Sequence, residues 1–295
     1  MKNLFQMNRF FFVLILGIFI VSCEKDPISE RLPADIEQKL NNVSYGTNER
    51  NKMDVYLPAN RTTETPLAIL IHGGAWISGD KSLMTDLQNA LLQEGIASVN
   101  INYRYVSPSV HCDELMQDID KVVKYCLDNS DKWQVRKNKI IIGGHSAGAH
   151  MSLMYGYAYD SRGIIGGIIS AAGPTNFYDE SMVADALGNF PLVLVPIELL
   201  ANAKYVAGQP IPENFRKISP VTRIKNVPTL MVHGTSDELV AYSTVVAFDA
   251  ELKKKGVASK LFTIDKADHS FTNISAQMKT TMNQEMISWI KRYGE

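Results

Sequence analysis

Apolar runs and amphipathic segments alternate along most of the chain, and this alternation predicts its fold. Continuous runs such as PLAILIHGG and KIIIGGH end in glycines, which is typical of strands buried on both faces of a sheet. The segments between them, such as KSLMTDLQNALLQEG, have the periodicity of a helix with one buried face. Strand and helix in turn predict an α/β fold with a mostly parallel central sheet and helices on both faces.

Two stretches depart from this alternation. The segments VSYG and MDVYLP alternate polar and apolar residues, which predicts two antiparallel strands at one edge of the sheet. No strand is predicted between about residues 174 and 227. An insertion of that length predicts a small, partly helical cap over one end of the sheet. The predicted domain, with this cap, extends over residues 43–293.

The N-terminus has a pattern of its own. Lys2 and Arg9 precede the apolar run FFFVLILGIFIV, which Ser22 and Cys23 follow. A membrane-spanning helix needs about 20 apolar residues, so this run is short for a span and suits the core of a secretory signal. An uncleaved membrane anchor is the alternative interpretation.

The ending IVSC resembles the lipobox of bacterial lipoproteins, in which the cysteine becomes the lipidated first residue of the mature chain. The resemblance implies a signal peptide over residues 1–22, lipid attachment at Cys23 and a tether over residues 23–42. It also implies an extracytoplasmic protein, in the periplasm or at the cell surface, that contacts the membrane only through this anchor.

Composition narrows the possible partners. The chain is 45% hydrophobic and 21% charged, which is ordinary for a globular protein, and its formal net charge is −1. No excess of charge therefore indicates binding to nucleic acid or to an anionic membrane surface. Cys112 and Cys126 lie on one predicted helix, about 21 Å apart at about 1.5 Å per residue, so buried thiols are predicted rather than a disulfide.

One serine lies between glycines at a junction of strand and helix. Ligands of an open parallel sheet bind beyond the carboxyl ends of its strands. There the segment GHSAG, residues 144–148, matches the pattern G-x-S-x-G of a sharp strand-to-helix turn. Such a turn displays the hydroxyl, so we predict that Ser146 is a nucleophile; a tight turn with a helix-capping serine is the alternative.

A serine hydroxyl needs a base that removes its proton. His269 lies in the loop after the last predicted strand and is the predicted base. The orienting carboxylate is expected between serine and histidine in the chain, which favours Asp237 after the strand PTLMV. Asp265 and Asp268 compete for this role because they are close to His269 in sequence, and capping of a helix is the alternative role of Asp237.

The glycine-rich segment HGGAW follows the predicted strand PLAILI. Acyl transfer develops an oxyanion, and we predict that the backbone amides of Gly74, Ala75 and Ala147 bind it. A simple turn and a phosphate cradle are the alternatives, but no lysine follows in P-loop spacing. Trp76 and Tyr103, on loops at the same end of the sheet, are predicted to contact substrate, with packing in the core as the alternative for both.

The segments HGGAWISGDK, GGHSAGAH, HGTSDELV and DHSF together resemble the α/β-hydrolase superfamily, in particular its HGG-type carboxylesterases. MDVYLP followed by HGGAW is similar to the bifunctional feruloyl and acetyl xylan esterases. This resemblance, over roughly residues 43–293, implies a triad of Ser146, His269 and Asp237 that requires no metal and no organic cofactor. HGGAW with GHSAGAH is also similar to kynurenine formamidases.

Three functions remain to be compared. The first, which the resemblance favours, is a serine carboxylic ester hydrolase that cleaves small acyl esters, such as acetyl or feruloyl esters on carbohydrate, through an acyl-enzyme. The second is an amide hydrolase like the formamidases. The third is a non-catalytic binding protein on the hydrolase fold, which the presence of all three triad residues disfavours.

Overall fold

The computed structural model describes residues 31–179 and 191–295, and the eight strands found there form one sheet. The strands are β1 (Gln38–Ser44), β2 (Lys52–Leu57), β3 (Leu67–Ile71), β4 (Ala97–Ile101), β5 (Ile140–His145), β6 (Ile165–Ala171), β7 (Thr229–Gly234) and β8 (Ser259–Ile264). Their spatial order is β1-β2-β4-β3-β5-β6-β7-β8. β2 is antiparallel to both its neighbours, and every other neighbouring pair is parallel. The mostly parallel sheet that the sequence predicts is confirmed.

Helices connect the parallel strands and cover both faces of the sheet. The helices described are α1 (Thr85–Gln93), α2 (Cys112–Trp133), α3 (Ala147–Met154), α4 (Pro191–Ala201), α5 (Glu213–Lys217), α6 (Tyr242–Lys254) and α7 (Ala276–Gly294). A π-helical turn at Tyr155–Tyr159 extends α3, and a 3-10 turn at Lys81–Met84 precedes α1.

The central strands are buried on both faces, which explains their continuous apolar sequence. Successive side chains of a strand point to opposite faces. In β3, Leu67, Ile69 and Ile71 join the core that α2, α3 and α6 cover, while Ala68 and Leu70 join the core under α7. Each fully buried side chain of this size contributes about 1.5–3 kcal/mol relative to exposure. This packing fixes the carboxyl ends of β3, β5 and β7 at one edge of the sheet.

The folded domain begins earlier in the chain than the sequence predicts. The buried guanidinium of Arg61 donates hydrogen bonds to the carbonyl oxygens of Leu32 and Pro33, at 3.3 and 2.7 Å. β1 also lies partly inside the predicted tether of residues 23–42. A register shift interrupts β1 around Asn42, whose φ is 56°, and this bulge hides the alternation of a strand from the sequence pattern.

The rest of the N-terminal prediction concerns residues outside the described ranges. The predicted signal peptide, residues 1–22, and the predicted lipid-bearing Cys23 both lie there. Within residues 31–179 and 191–295, no helix is both long enough and apolar enough to cross a membrane.

The two cysteines of the domain are buried and unbridged, as predicted. Both lie on α2, which holds them apart. Burial raises the pKa of Cys112 to about 12, so its thiol stays protonated at neutral pH.

The segment predicted to form a cap contains α4 and α5. Residues 180–190 lie outside the described ranges, and no strand occurs in the rest of the segment that the structure describes. Nδ1 of His111, at the start of α2, donates to the carbonyl oxygen of Leu199 at 2.7 Å. Nε2 of His150, in α3, donates to the carbonyl oxygen of Ile218 at 2.8 Å. These bonds attach α4 to α2, and the end of α5 to α3.

Candidate active site

The turn between β5 and α3 holds Ser146 in an uncommon backbone conformation, with φ 53° and ψ −118°. A non-glycine residue in such a region costs roughly 1–3 kcal/mol and persists only where the surrounding structure holds it. Glycines make this turn possible, because a Cβ on Gly144 or Gly148 would lie 2.4 or 2.1 Å from the carbonyl oxygen of Ile71. The close approach of β3 therefore explains the small residues on both sides of the serine.

The structure brings the three predicted triad residues together. Oγ of Ser146 lies 2.9 Å from Nε2 of His269. Nδ1 of the same ring lies 2.9 Å from Oδ2 and 3.0 Å from Oδ1 of Asp237. Because an ionised carboxylate only accepts hydrogen bonds, Nδ1 carries the proton, and Nε2 is left to accept from the serine hydroxyl. This arrangement is the one that general-base activation of a serine requires.

The carboxylate of Asp237 is buried and well supplied with donors. Besides the His269 ring, the backbone N–H groups of Leu239 and Val240 donate to Oδ1 at 2.9 and 2.8 Å. Burial by itself raises the pKa of Asp237, but hydrogen bonds from His233, His269 and the Val240 amide outweigh it and hold this pKa well below its usual range. The group is therefore a carboxylate at neutral pH.

The competing carboxylates bind elsewhere. Asp265 accepts a hydrogen bond from the hydroxyl of Thr235 at 3.1 Å, and Asp268 accepts from the backbone N–H of Thr272 at 2.8 Å. Asp237 reaches the ring because it follows β7, the neighbour of the strand that leads to the His269 loop. Its bonds from the Leu239 and Val240 N–H groups hold a turn, and the next helix begins only at Tyr242 with Ala241 as its N-cap, so the alternative role as a helix cap is not confirmed.

The glycine-rich loop after β3 has an uncommon backbone conformation. Gly74, Ala75 and Trp76 all have positive φ, at 120°, 48° and 61°. The carbonyl oxygen of Gly74 accepts from the backbone N–H groups of Ile77 and Ser78, at 3.1 and 3.0 Å. In a trans peptide the carbonyl and the N–H point in opposite directions, so the Ala75 N–H points away from these donors.

The N–H groups proposed for the oxyanion find no acceptor within the part of the chain that the structure describes. Among the described residues, none accepts a hydrogen bond from the backbone N–H of Gly74 or Ala75. Ala147 is the first residue of α3, so its N–H lacks an acceptor in the preceding helical turn. Gly74, Ala75 and Ser146 all line one cavity, and Ala147 directly follows the serine. Gly74 and Ala75 therefore border the same cavity as Ser146.

A polar network contacts the glycine-rich loop after β3 on the side away from the cavity wall formed by Gly74 and Ala75. Nε of Arg50 donates to the carbonyl oxygen of Tyr103 at 2.8 Å, and its Nη2 donates to that of Gly79 at 3.2 Å. The guanidinium also stacks on the ring of Tyr105, 3.7 Å from the centroid. Burial lowers the pKa of the adjacent His72 to about 4, so this imidazole is neutral at pH 7. Sequence reasoning did not identify Arg50, because nothing local to it indicates these contacts.

The two predicted pocket residues differ in position. Tyr103 is fully buried, stacks on His72 at 4.4 Å and donates its hydroxyl to the His72 carbonyl oxygen at 3.1 Å. It lies outside the lining of the cavity, which corrects the expectation of substrate contact. Trp76 does line the cavity, although only 2% of it is exposed. Its ring packs edge-on against His150 and Phe177, at 5.3 and 5.9 Å.

A cavity of about 1000 Å³ surrounds Ser146 and His269. One wall of the cavity comes from the region of α1 and α7, and a second comes from α4, α5 and the loop after β7. The apolar side chains that line the two walls include Leu87, Met282, Met286, Ile197, Phe215 and Leu239. Polar groups also reach it, among them Glu238, Asn283 and the ion pair of Lys279 with Asp86, at 2.9 Å. Within the described residues, no cluster of three or more His, Cys, Asp or Glu side chains could hold a metal ion.

Comparisons with known proteins agree with this fold. Residues 53–252 match the family described as BD-FAE. The chain is 26% identical over 242 residues to the probable isoprenylcysteine alpha-carbonyl methylesterase ICME of Oryza sativa subsp. japonica, which covers 79% of this chain and 58% of that protein. It is 28% identical over 172 residues to the kynurenine formamidase of Danio rerio, which covers 57% of this chain and 56% of that protein. The chain thus spans just over half the length of these curated relatives.

A solved structure titled "Truncated form of carbohydrate esterase from gut microbiota" has a TM-score of 0.71 to this chain at 18% identity, over 90% of this chain and 99% of that one. At this identity the likeness shows the fold alone. The family match is more specific, since it extends over more than half of the chain and includes the glycine-rich loop after β3, the turn at Ser146 and Asp237. The chain belongs to the BD-FAE family of α/β hydrolases.

Proposed function

We propose that this protein is a serine hydrolase of carboxylic esters that acts through an acyl-enzyme. The observation that carries this proposal is the unbroken chain of contacts from the Ser146 hydroxyl through the His269 ring to the buried Asp237 carboxylate. The Ser146 end of this chain of contacts faces a cavity that Gly74 and Ala75 also line, and no described residue accepts a hydrogen bond from their N–H groups. A binding protein would need neither the poised base nor the strained serine.

The first half of the proposed reaction forms the acyl-enzyme. Nε2 of His269 takes the proton of Ser146 as Oγ attacks the ester carbonyl carbon. The carbonyl oxygen becomes an oxyanion, which the amides of Gly74, Ala75 and Ala147 stabilise. The imidazolium that forms is balanced by the Asp237 carboxylate, and it then gives its proton to the departing alcohol oxygen.

The second half repeats these roles with water. His269 accepts a proton from a water molecule as its oxygen attacks the acyl carbon, and a second oxyanion occupies the same amides. When the bond between the acyl carbon and Oγ breaks, the proton returns from His269 to Ser146. An acid leaves, and the enzyme is restored.

The cavity supports an acylated carbohydrate as the substrate class. Its apolar walls beside Ser146 suit an acetyl or feruloyl group, while Glu238 and Asn283 offer hydrogen-bonding groups for hydroxyls of the alcohol. The structural relative named a carbohydrate esterase is consistent with this choice. A second candidate is hydrolysis of an N-formyl amide, which the similarity to a kynurenine formamidase favours.

Hydrolysis assays separate these candidates. The purified protein should hydrolyse p-nitrophenyl acetate, and the Ser146→Ala variant, with unchanged melting temperature, should not. Acetylated xylan, methyl ferulate and N-formylkynurenine are then compared by kcat/KM. Preference for either of the first two supports the ester assignment, preference for the third supports the amide assignment, and equal turnover by wild type and Ser146→Ala contradicts both.

We further propose that the mature protein is anchored by lipid at Cys23 outside the cytoplasm. The lipobox-like ending IVSC supports this proposal. In a bacterial host, labelled palmitate should be incorporated into the wild type and should be lost from a Cys23→Ser variant. Equal labelling of both proteins, or cofractionation of both with the cytoplasm, would contradict it.

A further inference from the structure

His233 lies at the end of β7, beside the triad carboxylate, and is fully buried. Its Nε2 is 3.1 Å from Oδ2 of Asp237 and 2.8 Å from the carbonyl oxygen of Val240. Both oxygens are acceptors, so Nε2 carries a proton and is shared between them. The other ring nitrogen, Nδ1, has no hydrogen-bond partner among the described residues.

The donors to the two oxygens of Asp237 differ. Oδ1 receives the backbone N–H groups of Leu239 and Val240. Oδ2 receives no backbone N–H among the described residues, and the donors in reach of it are the rings of His269 and His233. A carboxylate can rotate about its bond to Cβ; the backbone donors oppose this rotation at Oδ1, and His233 opposes it at Oδ2 beside the His269 ring.

The same nitrogen also holds the loop that carries the carboxylate. Val240 lies three residues after Asp237, and its carbonyl oxygen accepts a hydrogen bond from Nε2 of His233. This bond holds the loop against the end of β7. His233 therefore contacts the loop at two points from one atom. It does not line the cavity, so it is out of reach of a substrate.

We propose that His233 is a positioning residue, which holds the Asp237 carboxylate in the orientation that keeps His269 aligned with Ser146. The inference rests on the proposed function, because it assigns His233 a part in the same hydrolysis. It also explains why an imidazole is present in the buried core. An apolar side chain would fill this space without leaving a buried Nδ1 unpaired, and would lack the Nε2 donor.

Two substitutions of His233 distinguish the effect of its hydrogen-bond donor from the effect of its volume. In His233→Gln, the side-chain amide N–H₂ can occupy the place of Nε2–H and donate to Asp237. In His233→Leu, the space is filled but no donor is present. Glutamine should keep kcat within a few-fold of wild type, and leucine should lower it about ten- to a hundredfold, the loss expected for one hydrogen bond to a charged group. KM should be unchanged in both variants.

The pH dependence of kcat/KM gives a readout that a purely structural role would not move. Without the His233 donor, the negative charge of Asp237 acts more strongly on the His269 imidazolium, so the acid limb of the profile should move to higher pH in His233→Leu. The other titratable groups near this pair are His145, Glu238 and Tyr242, and both variants leave them unchanged. His233→Gln should therefore retain the wild-type limb.

A measurement without substrate keeps this inference distinct from the proposed function. The proton NMR signal of the His269 Nδ1–H, assigned by its loss in His269→Gln, reports the contact with Asp237 directly. It should shift in His233→Leu and stay in place in His233→Gln. Absence of ester turnover with such a shift would contradict the proposed function alone, and an unmoved signal in His233→Leu would overturn the inference.

Two further results would also decide whether His233 is a positioning residue. Equal loss of kcat in both variants, with wild-type pH profiles, would show that only the ring's packing matters and would overturn the proposal. If His233→Leu does not fold, His233→Asn replaces it, since its shorter amide cannot reach Asp237. Wild-type kcat and an unmoved signal in His233→Asn would then overturn it.

Discussion

The imidazole of His145 donates its Nε2–H to the main-chain carbonyl oxygen of His269, at 2.8 Å. This bond joins the turn that carries Ser146 to the loop that carries His269, two segments far apart in the chain. The same ring lies 5.1 Å from the His269 ring and 5.9 Å from that of Phe271, centroid to centroid. The residue before the serine therefore contributes to the alignment of the triad.

Replacement of His145 by phenylalanine should lower kcat/KM for p-nitrophenyl acetate about tenfold. Phenylalanine keeps the ring contacts but lacks the N–H, and a hydrogen bond of this kind contributes about 0.5–1.5 kcal/mol. His145→Gln, which retains a donor, is the matched control and should lose less. Equal activity of the phenylalanine variant and the wild type would show that the bond does not align the base.

The amide of Ala75 should be needed for catalysis. Ala75→Pro removes the N–H and is incompatible with the positive φ, so kcat/KM should fall at least about a hundredfold, as for loss of an oxyanion donor. Ala75→Gly keeps the N–H and relieves the positive φ, so its kcat/KM should remain near wild type. A glycine variant as impaired as the proline variant would contradict the assignment of this amide.

The serine turn should tolerate no side chain at Gly148. A Cβ there would lie 2.1 Å from the carbonyl oxygen of Ile71, so Gly148→Ala should lower the free energy of unfolding by more than about 3 kcal/mol or prevent folding. Gly163→Ala is the control, because that position has a φ of 65° but no atom within 4 Å of the added Cβ. It should lose only about 1 kcal/mol in urea unfolding. Similar losses in both variants would refute the steric argument.

The stability of the fold should decrease below neutral pH. Burial lowers the pKa of His72 and of His150 from 6.5 to about 4. The unfolded chain takes up these protons below about pH 6.5 and the folded chain does not, so the free energy of unfolding falls as pH drops from about 7 to 4. Each histidine should account for roughly 2 kcal/mol between pH 7 and pH 5.

Urea unfolding at pH 7, 6 and 5 measures this slope. His150→Gln keeps a donor for the Ile218 carbonyl oxygen but cannot titrate, so its slope should be smaller than that of the wild type by the His150 contribution. Burial also lowers the pKa of His72 and His145, and these two side chains account for the slope that remains. Asp237 does not obscure the result, because its lowered pKa means that its contribution is lost only below about pH 4. A variant slope equal to the wild-type slope would contradict the prediction.

The sequence predicts the triad residues because their signals are local. Each follows a strand of a parallel sheet, and the carboxyl ends of such strands meet at one edge, so Ser146, Asp237 and His269 could be placed together before the structure was known. The turn around Ser146 was equally predictable from its glycines, which are needed because β3 passes too close for a side chain.

Other features depend on contacts that no local pattern reports. Tyr103 follows a strand at the correct edge, yet its ring turns into the core because His72 offers a stacking face and a carbonyl acceptor. The bulge at Asn42 conceals β1. His233 precedes Asp237 by four residues in the segment HGTSD, and that spacing is the one signal that links the two side chains.

Labelling with a fluorophosphonate tests the central claim most directly, because the reagent reacts with a serine only where a base and an oxyanion site act on it. After digestion, mass spectrometry should find the adduct on the peptide that contains Ser146. The rate should fall at least about a hundredfold in Asp237→Asn, which cannot hold His269 in the required tautomer. Adduct on another residue, or equal labelling rates in wild type and Asp237→Asn, would contradict the account.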